Sequence, residues 1–263
     1  MKFIAAMDHS GGSTGSVLER YEQEYTEENK MDLVHQMRLR MINSPLFNGE
    51  YIWAAILYTD TIERGITELL RNKGIESYVK IDSGCEADGT LKAFDVEAMI
   101  EFAHENDCTG TKMRSIVKTT DSIDPILKQQ FEIAQTVVNN GLTPIVEPEV
   151  PIDLKEKRDT EIQLRHAMED YLDNFNGQVI LKLTIPDETN LYQELSQHKN
   201  VKKLVGLSGG YTTSEAVSKL SQQLDMSASF SRALSEGLFA HQHPSDFDKK
   251  ISTNIKRIEG ASS

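Results

Sequence analysis

Cysteine is scarce in this chain: Cys85 and Cys108 are the two among 263 residues, and they form no metal-binding or redox spacing. That excludes a disulfide framework and a cysteine-built zinc site, and it fits a reduced, cytoplasmic compartment. Long apolar runs are absent too. No stretch approaches the roughly 20 apolar residues of a membrane span. The opening MKFIAAMDHS carries one Lys and an apolar run cut off by Asp8, too short for a signal-peptide core. Positive charge is in deficit, with 28 Lys and Arg against 41 Asp and Glu, a net charge of -13. A field of that sign argues against nucleic acid or a membrane surface as partner, and an anionic substrate would need a local cationic pocket. No Pro/Gly/Ser-rich linker divides the chain, so one domain is expected over residues 1–263. A homo-oligomer is compatible with this composition.

What is present is a repeated pattern without a sequence repeat. Short apolar, β-rich runs recur eight times: FIAAMD (3–8), IWAAILY (52–58), SYVKID (77–82), GTKMRS (110–115), TPIVEP (143–148), VILKLT (179–184), KLVGLSG (203–209) and MSASFSR (226–232). Most are separated by stretches with helical spacing of apolar residues. The clearest is 121–141, where Asp121 or Ser122 can cap the start and Gly141 stands where a C-terminal glycine belongs. Another helical pattern runs from Glu27 to Met41. Eightfold alternation of strand and helix predicts a single (β/α)8 TIM barrel, of class α/β. The alternative, an open doubly wound sheet, would show a nucleotide-binding fingerprint after the first strand, and MDHSGGSTGS is neither of the glycine patterns that serve that purpose.

Charged residues inside these runs are not scattered. Asp8 ends the first, Lys80 and Asp82 the third, and Lys112 and Arg114 lie in the fourth. Glu147 ends the fifth with Glu149 just beyond, and Lys182 lies late in the sixth. Ser208, Gly209 and Gly210 follow the seventh, and Arg232 ends the eighth. In each pair the two residues are two apart, so they share a strand face, and barrels of this type build their sites at the C-terminal strand ends. A lone strand-end lysine ordinarily snorkels to water and a lone carboxylate ordinarily caps the next helix. Coincidence at seven of eight strand ends points instead to one converging set, whose near balance of charge makes burial tolerable.

Lys182 is the most unusual member, because Val179, Leu181 and Leu183 share one face of its strand while Ile180, Lys182 and Thr184 share the other. A charged amine is expensive in such surroundings. Desolvation and a neighbouring cation, for which Lys112 is the candidate, would lower its pKa and prepare it to attack a carbonyl as a Schiff-base nucleophile. Glu147 and Glu149 are carboxylates suited to the proton transfers that imine formation needs. The small residues Ser208–Gly210, a helix start at Thr212 to Glu215 and the guanidinium of Arg232 suit a phosphate group. The set asks for a phosphorylated carbonyl compound.

Together AMDHSGGS, TEEN, VKID, GTKMRS, PIVEPEV, LKLTIP, LSGGY and SFSRAL, in this order along nearly the whole chain, resemble class I fructose-1,6-bisphosphate aldolase, particularly its shorter bacterial branch. The resemblance implies that Lys182 is the Schiff-base lysine, Glu147 the acid/base of carbinolamine chemistry and Glu149 its neighbouring carboxylate. It implies that Asp8 takes the substrate C4 hydroxyl proton, and that Lys112, with Arg114 beside it, stabilises charge near the reacting carbons. Ser208, Gly209, Gly210 and Arg232 would hold the phosphate next to the ketone, and Ser10, Ser13 and Lys80 the far one. It implies a cytoplasmic enzyme of glycolysis and gluconeogenesis acting on a phosphosugar, with no cofactor and no metal, since the iminium is the electron sink. Ser83 and His9 stand where the family usually has Lys and Gln or Glu, the usual leading segment is missing, and no tyrosine follows Tyr211 to serve as the C-terminal tyrosine of the animal-type enzymes. Another Schiff-base barrel acting on a different phosphorylated ketose is the main rival. A phosphosugar-binding protein without catalysis would predict damage at Lys182, Glu147 or Asp8, and all three are intact. Elsewhere, His241 and His243 lack a third ligand in view, Tyr21 and Tyr25 at helical spacing read as packing, and Trp53 reads as core against a helix.

Overall fold

The computed structural model describes residues 1–10 and 13–263, apart from the side chain of Ser13. Eight strands, β1 (Phe3–Met7), β2 (Ile52–Leu57), β3 (Glu76–Lys80), β4 (Gly110–Ile116), β5 (Thr143–Glu149), β6 (Val179–Thr184), β7 (Val201–Leu207) and β8 (Ser227–Ala228), pair in that order, each parallel to the next. Between β1 and β8 the Ala6 amide donates to the Phe230 carbonyl at 3.3 Å, so the sheet closes on itself. With helices alternating around it, this is the expected (β/α)8 barrel.

Side-chain parity divides the strands between two environments. Ile4, Ala54, Ile56, Tyr78, Ile145, Ile180 and Val205 form one buried cluster inside the barrel. Val179, Leu181 and Leu183 belong to the larger cluster between strands and helices. All six residues of β6 are buried, so Lys182 shares the interior face with Ile180 as its alternation predicts.

The differences from expectation lie at element ends. Strand β8 is two residues long, and Arg232 opens a short helix, Arg232–Ser235, instead of ending the strand. Strand β3 stops at Lys80, which leaves Asp82 just past it. The expected helix from Glu27 starts at Lys30 and runs to Asn43, because Thr26–Asn29 form a turn first, with the Thr26 amide donating to Asn29 Oδ1 at 2.7 Å. The helix expected at 121–141 spans Ile123–Asn139 after a short 3-10 turn, and the reciprocal cap joins Thr119 and Ser122, not Asp121. Gly141 does take the left-handed backbone, at φ 77°, just past its end. Tyr21 and Tyr25 both lie just past the helix Ser13–Arg20 and both pack, Tyr21 edge-on to Phe247 at 6.4 Å between centroids and Tyr25 against Gly15, with its hydroxyl donating to Glu19 Oε1 at 3.4 Å. Trp53 packs on the interior cluster and tilts against Tyr78 rather than against a helix. No helix is long and apolar enough to cross a membrane among the described residues.

Ile180 sits two residues below Lys182, fully buried among interior side chains from several strands. Ile180→Ala is expected to cost about 2–5 kcal/mol, the transfer term plus the cavity left in a closed lumen. Chemical denaturation measures it, and a loss under about 1 kcal/mol would mean the lumen collapses freely around the site.

Candidate active site

The C-terminal ends of the strands open into a cavity of about 810 Å³. At its floor four charged groups form one chain. Lys182 Nζ lies 3.4 Å from Glu147 Oε1, and Lys112 Nζ lies 2.8 Å from Glu147 Oε2, an ion pair outside hydrogen-bond alignment. Lys112 also donates to Asp8 Oδ2 at 2.9 Å. These groups come from four different strands or their ends, β1, β4, β5 and β6. Lys182, Lys112 and Glu147 each expose no more than 4% of their surface. Glu147 is steadied from behind, since its amide donates to Oε1 of the fully buried Gln130, on the helix Ile123–Asn139, at 3.0 Å.

The electrostatics separate the two lysines. Burial draws the Lys182 amine below its ordinary value; Glu147 opposes this and the Lys112 cation reinforces it. Burial acts on Lys112 as well, but Asp8 and Glu147 outweigh it and hold that amine above the usual range. Burial alone would raise Asp8, yet Lys112 and Lys182 hold it well below the carboxylate range. One amine is thus pushed toward its neutral, nucleophilic form beside a carboxylate, while the other is a fixed cation. His9 is pushed down to about 4, first by burial, with Asp8 opposing, and its Nε2 lies 2.7 Å from Ser231 Oγ.

Around this floor the other predicted residues are placed unequally. Arg114 Nε donates to Glu149 Oε2, so that pair is satisfied internally. Lys80 lies 2.9 Å from Asp82 Oδ1 and donates to the Asp82 carbonyl at 2.6 Å. Asp82 also accepts from the Arg114 and Gly84 amides, which makes it the knot between the ends of β3 and β4. Ser10 lines the cavity, Ser13's side chain lies outside the described residues, and Ser83 is exposed and not among the lining residues. On the opposite rim, Ser208 to Gly210 form a turn in which the Tyr211 amide donates to the Ser208 carbonyl at 2.9 Å. Gly209 and Gly210 have φ of 53° and 121°, which side-chain-bearing residues rarely adopt. The helix Thr213–Leu220 follows, with reciprocal capping by Thr212 and Glu215. A Cβ on Gly210 would lie 3.9 Å from Arg232 Nη2, so the exposed Arg232 guanidinium stands directly beside the turn. Arg232 forms no ion pair among the described residues.

Several contributors escape a reading of the sequence. Arg20 lines the cavity close to Arg232, and burial together with that neighbouring guanidinium lowers it. Lys118 also lines it and could have been found by continuing the parity of Lys112 and Arg114 two residues past the strand's end at Ile116. Arg38, fully buried on the helix Lys30–Asn43, donates to the His9 carbonyl at 2.8 Å and so holds the end of β1. Only the fold brings those residues together. His243 caps the helix Pro244–Ala261 and His241 stacks on Phe239, and among the described residues no group of three His, Cys, Asp or Glu could hold a metal ion.

No family model matches the chain. Among solved structures, it is similar to a fructose-bisphosphate aldolase from Plasmodium falciparum, crystallised with TRAP and a small-molecule inhibitor, with TM-score 0.75 and 19% identity over 99% of this chain and 90% of that one. An archaeal fructose 1,6-bisphosphate aldolase aligns with TM-score 0.61 and 12% identity, over 98% and 94% of the two chains. An archaeal fructose-1,6-bisphosphate aldolase whose catalytic Lys is covalently bound to the carbinolamine intermediate aligns with TM-score 0.58 and 11% identity, over the same shares. At these identities the likeness establishes a common barrel fold.

The direction of the Lys182 shift carries a stability consequence. A lysine whose folded pKa is depressed binds its proton less tightly in the folded state, so its cost is full below the folded pKa and fades as pH rises through it toward 10.5, its ordinary value. Lys182→Met is therefore expected to raise stability wherever the amine is charged, with Glu147 keeping Lys112 as partner. The difference should shrink at higher pH in paired denaturation curves, and a gap that is flat with pH, or of opposite sign, would contradict this picture.

Proposed function

We propose that this chain is a Schiff-base (class I) fructose-bisphosphate aldolase, cleaving fructose 1,6-bisphosphate reversibly to dihydroxyacetone phosphate and glyceraldehyde 3-phosphate. The observation that carries the reading is the Lys182–Glu147–Lys112–Asp8 chain: an amine held toward its neutral form, 3.4 Å from a carboxylate, beneath a cavity with arginines on its rim. The barrel shared with solved aldolases supplies the frame for this reading.

In this mechanism Lys182 attacks the substrate ketone at C2 and forms a carbinolamine. Glu147, within reach of the same nitrogen, moves the protons that let water leave, giving the iminium. Asp8, ionised across neutral pH, takes the C4 hydroxyl proton as the C3–C4 bond breaks and its electrons flow to the iminium. Glyceraldehyde 3-phosphate departs, and the enamine left on Lys182 is protonated at C3 and hydrolysed to dihydroxyacetone phosphate. Lys112, fixed between Asp8 and Glu147, offsets the charge that develops between them. Glu149 orients Arg114 at the wall. The Ser208–Gly210 turn offers amides, and Arg232 a guanidinium, to the phosphate beside the ketone. Ser10, Ser13 and Lys80 are assigned to the far phosphate. A different phosphorylated ketose is the second reading, favoured by the commitment of Lys80 to Asp82 and by the exposure of Ser83. The ratio of kcat/KM for fructose 1,6-bisphosphate and fructose 1-phosphate decides between them.

Borohydride reduction with dihydroxyacetone phosphate is expected to leave one three-carbon adduct, mapped by peptide mass to Lys182. Lys182→Arg should abolish it, since a guanidinium cannot form this iminium. An adduct on Lys80 or Lys112 would overturn the assignment, and no adduct at all would overturn the mechanistic class.

Arg232→Ala is expected to weaken phosphorylated ketose binding by about 1.5–3 kcal/mol, the size of a charged hydrogen-bond set. An unphosphorylated ketone should be little affected. Equal impairment of both substrates would make Arg232 structural and move the phosphate site elsewhere.

A further inference from the structure

We propose that the N-terminal mouth of the barrel, opposite the cavity described above, is a second ligand site that takes a small polyanion of the diphosphate class. A cavity of about 630 Å³ opens there, lined in part by Lys2, Trp53, Lys202, Lys203, Ser196 and Gln197. These residues lie just before or at the starts of β1, β2 and β7, the end of the barrel that ordinarily serves stability.

Lys203 makes this end unusual. It shares the face of Val205, which belongs to the interior cluster, so its stem runs into the bottom of the lumen. Its Nζ lies 5.5 Å from the centroid of the Trp53 ring, and that of Lys202 lies 5.3 Å from it. Among the described residues, the Lys203 ammonium has one further polar contact, Met1 Sδ at 3.2 Å. Among the described residues no carboxylate stands within ion-pair distance of Lys2, Lys202 or Lys203. The acid in the lining, Asp225, accepts from Gln193 Nε2 at 3.3 Å. Nearby Glu76 has both oxygens engaged, one by Trp53 Nε1 and one by Tyr78 Oη, each at 3.1 Å. Burial alone lowers the Lys203 amine, with no carboxylate opposing it.

The fully buried lysines show how this protein treats such charges elsewhere. Lys112 has two carboxylates, Lys182 one, and Lys157 two, Glu161 and Asp187. A partly desolvated ammonium without a counter-ion is costly, and an aromatic face offsets only part of that cost. In a chain of net charge -13 with 41 acidic side chains, three lysines that share a cavity lining with one acid, Asp225, and pair with no carboxylate among the described residues form a local exception. The missing negative charge is what a ligand would bring. One monovalent anion would leave two ammonium groups unmatched, while adjacent phosphates can bridge all three, and the cavity is large enough to admit them. The side-chain amide of Gln197 supplies a neutral donor for a remaining oxygen, while the Ser196 hydroxyl is already given to the Gln193 carbonyl at 2.6 Å.

Trp53 is the single tryptophan of the chain, so its emission reports this site directly. Inorganic pyrophosphate titrated into the full chain at constant ionic strength is expected to change that emission saturably, with a midpoint below about 1 mM. Lys202→Ala with Lys203→Gln should weaken the midpoint by about tenfold or more. Lys202→Ala alone, at an exposed side chain that carries no folding burden, should weaken it severalfold and keeps the test decisive if the double variant misfolds. Arg232→Ala, at the other mouth, should leave the response intact. Three results would each overturn the proposal: no saturable change, a response that survives both lysine variants, or a response lost in Arg232→Ala, which would place the pyrophosphate in the catalytic mouth.

Discussion

Everything at the C-terminal end of the barrel depends on one linear arrangement of buried charge, Asp8–Lys112–Glu147–Lys182. None of its members could stay ionised alone at this depth, because desolvation would cost several kcal/mol per ion. Linked together, each charge is stabilised by the next. The arrangement also differentiates chemically similar groups: Lys112 sits between two carboxylates and is fixed as a cation, whereas Lys182 has one carboxylate and a cation nearby. Two lysines that share one carboxylate thereby acquire opposite tendencies, the separation that a nucleophile and an electrostatic support would need.

The barrel makes that arrangement affordable by dividing its lumen into layers. Aliphatic residues and Tyr78 fill the middle and exclude water from below. Above them the strand ends open, and the inward positions change from apolar to charged within two residues, as from Ile180 to Lys182. Further out, the charges pair off in the wall, Arg114 with Glu149 and Lys80 with Asp82, and so keep the strand ends in place. The rim opposite carries cations that form no ion pair among the described residues: Arg232 stands by the glycine turn, with Arg20 near enough to feel its charge. The other mouth of the barrel repeats that imbalance on a smaller scale around Trp53, and the two ends thus differ from the wall by the same criterion, positive charge without an ion-pair partner among the described residues.

Much of the fold was legible because it rests on local pattern. Eight apolar runs with helical spacing between them demand a strand–helix alternation, and parity alone put Ile180 and Lys182 on one face and Leu181 on the other. The errors fell where local signals compete. Asp121 and Ser122 both resemble a cap, and the hydrogen bonds of Thr119 decide between them. The residues 226–232 look strand-like, yet the chain leaves the ladder after Ala228 and turns into a helix at Arg232. Trp53 is apolar in any context, and whether it meets a helix or the lumen depends on which way the strand's pleat faces at its first residues.

For the site, the sequence by itself determined which groups stand at the strand ends and on which face, since a period of two is a property of any extended chain. It could not determine who pairs with whom. That Lys112 lies between Asp8 and Glu147, 104 residues from the former, follows from strand register and closure of the barrel, which no single segment encodes. Arg38 beneath His9, Gln130 behind Glu147, Arg20 beside Arg232 and the unpaired Lys203 over Trp53 were likewise decided only by tertiary structure. Each is an ordinary residue on an ordinary helix or strand until packing sets its distance to a charge or ring elsewhere in the chain, and electrostatic effects are set by that distance and by burial, not by position in the sequence.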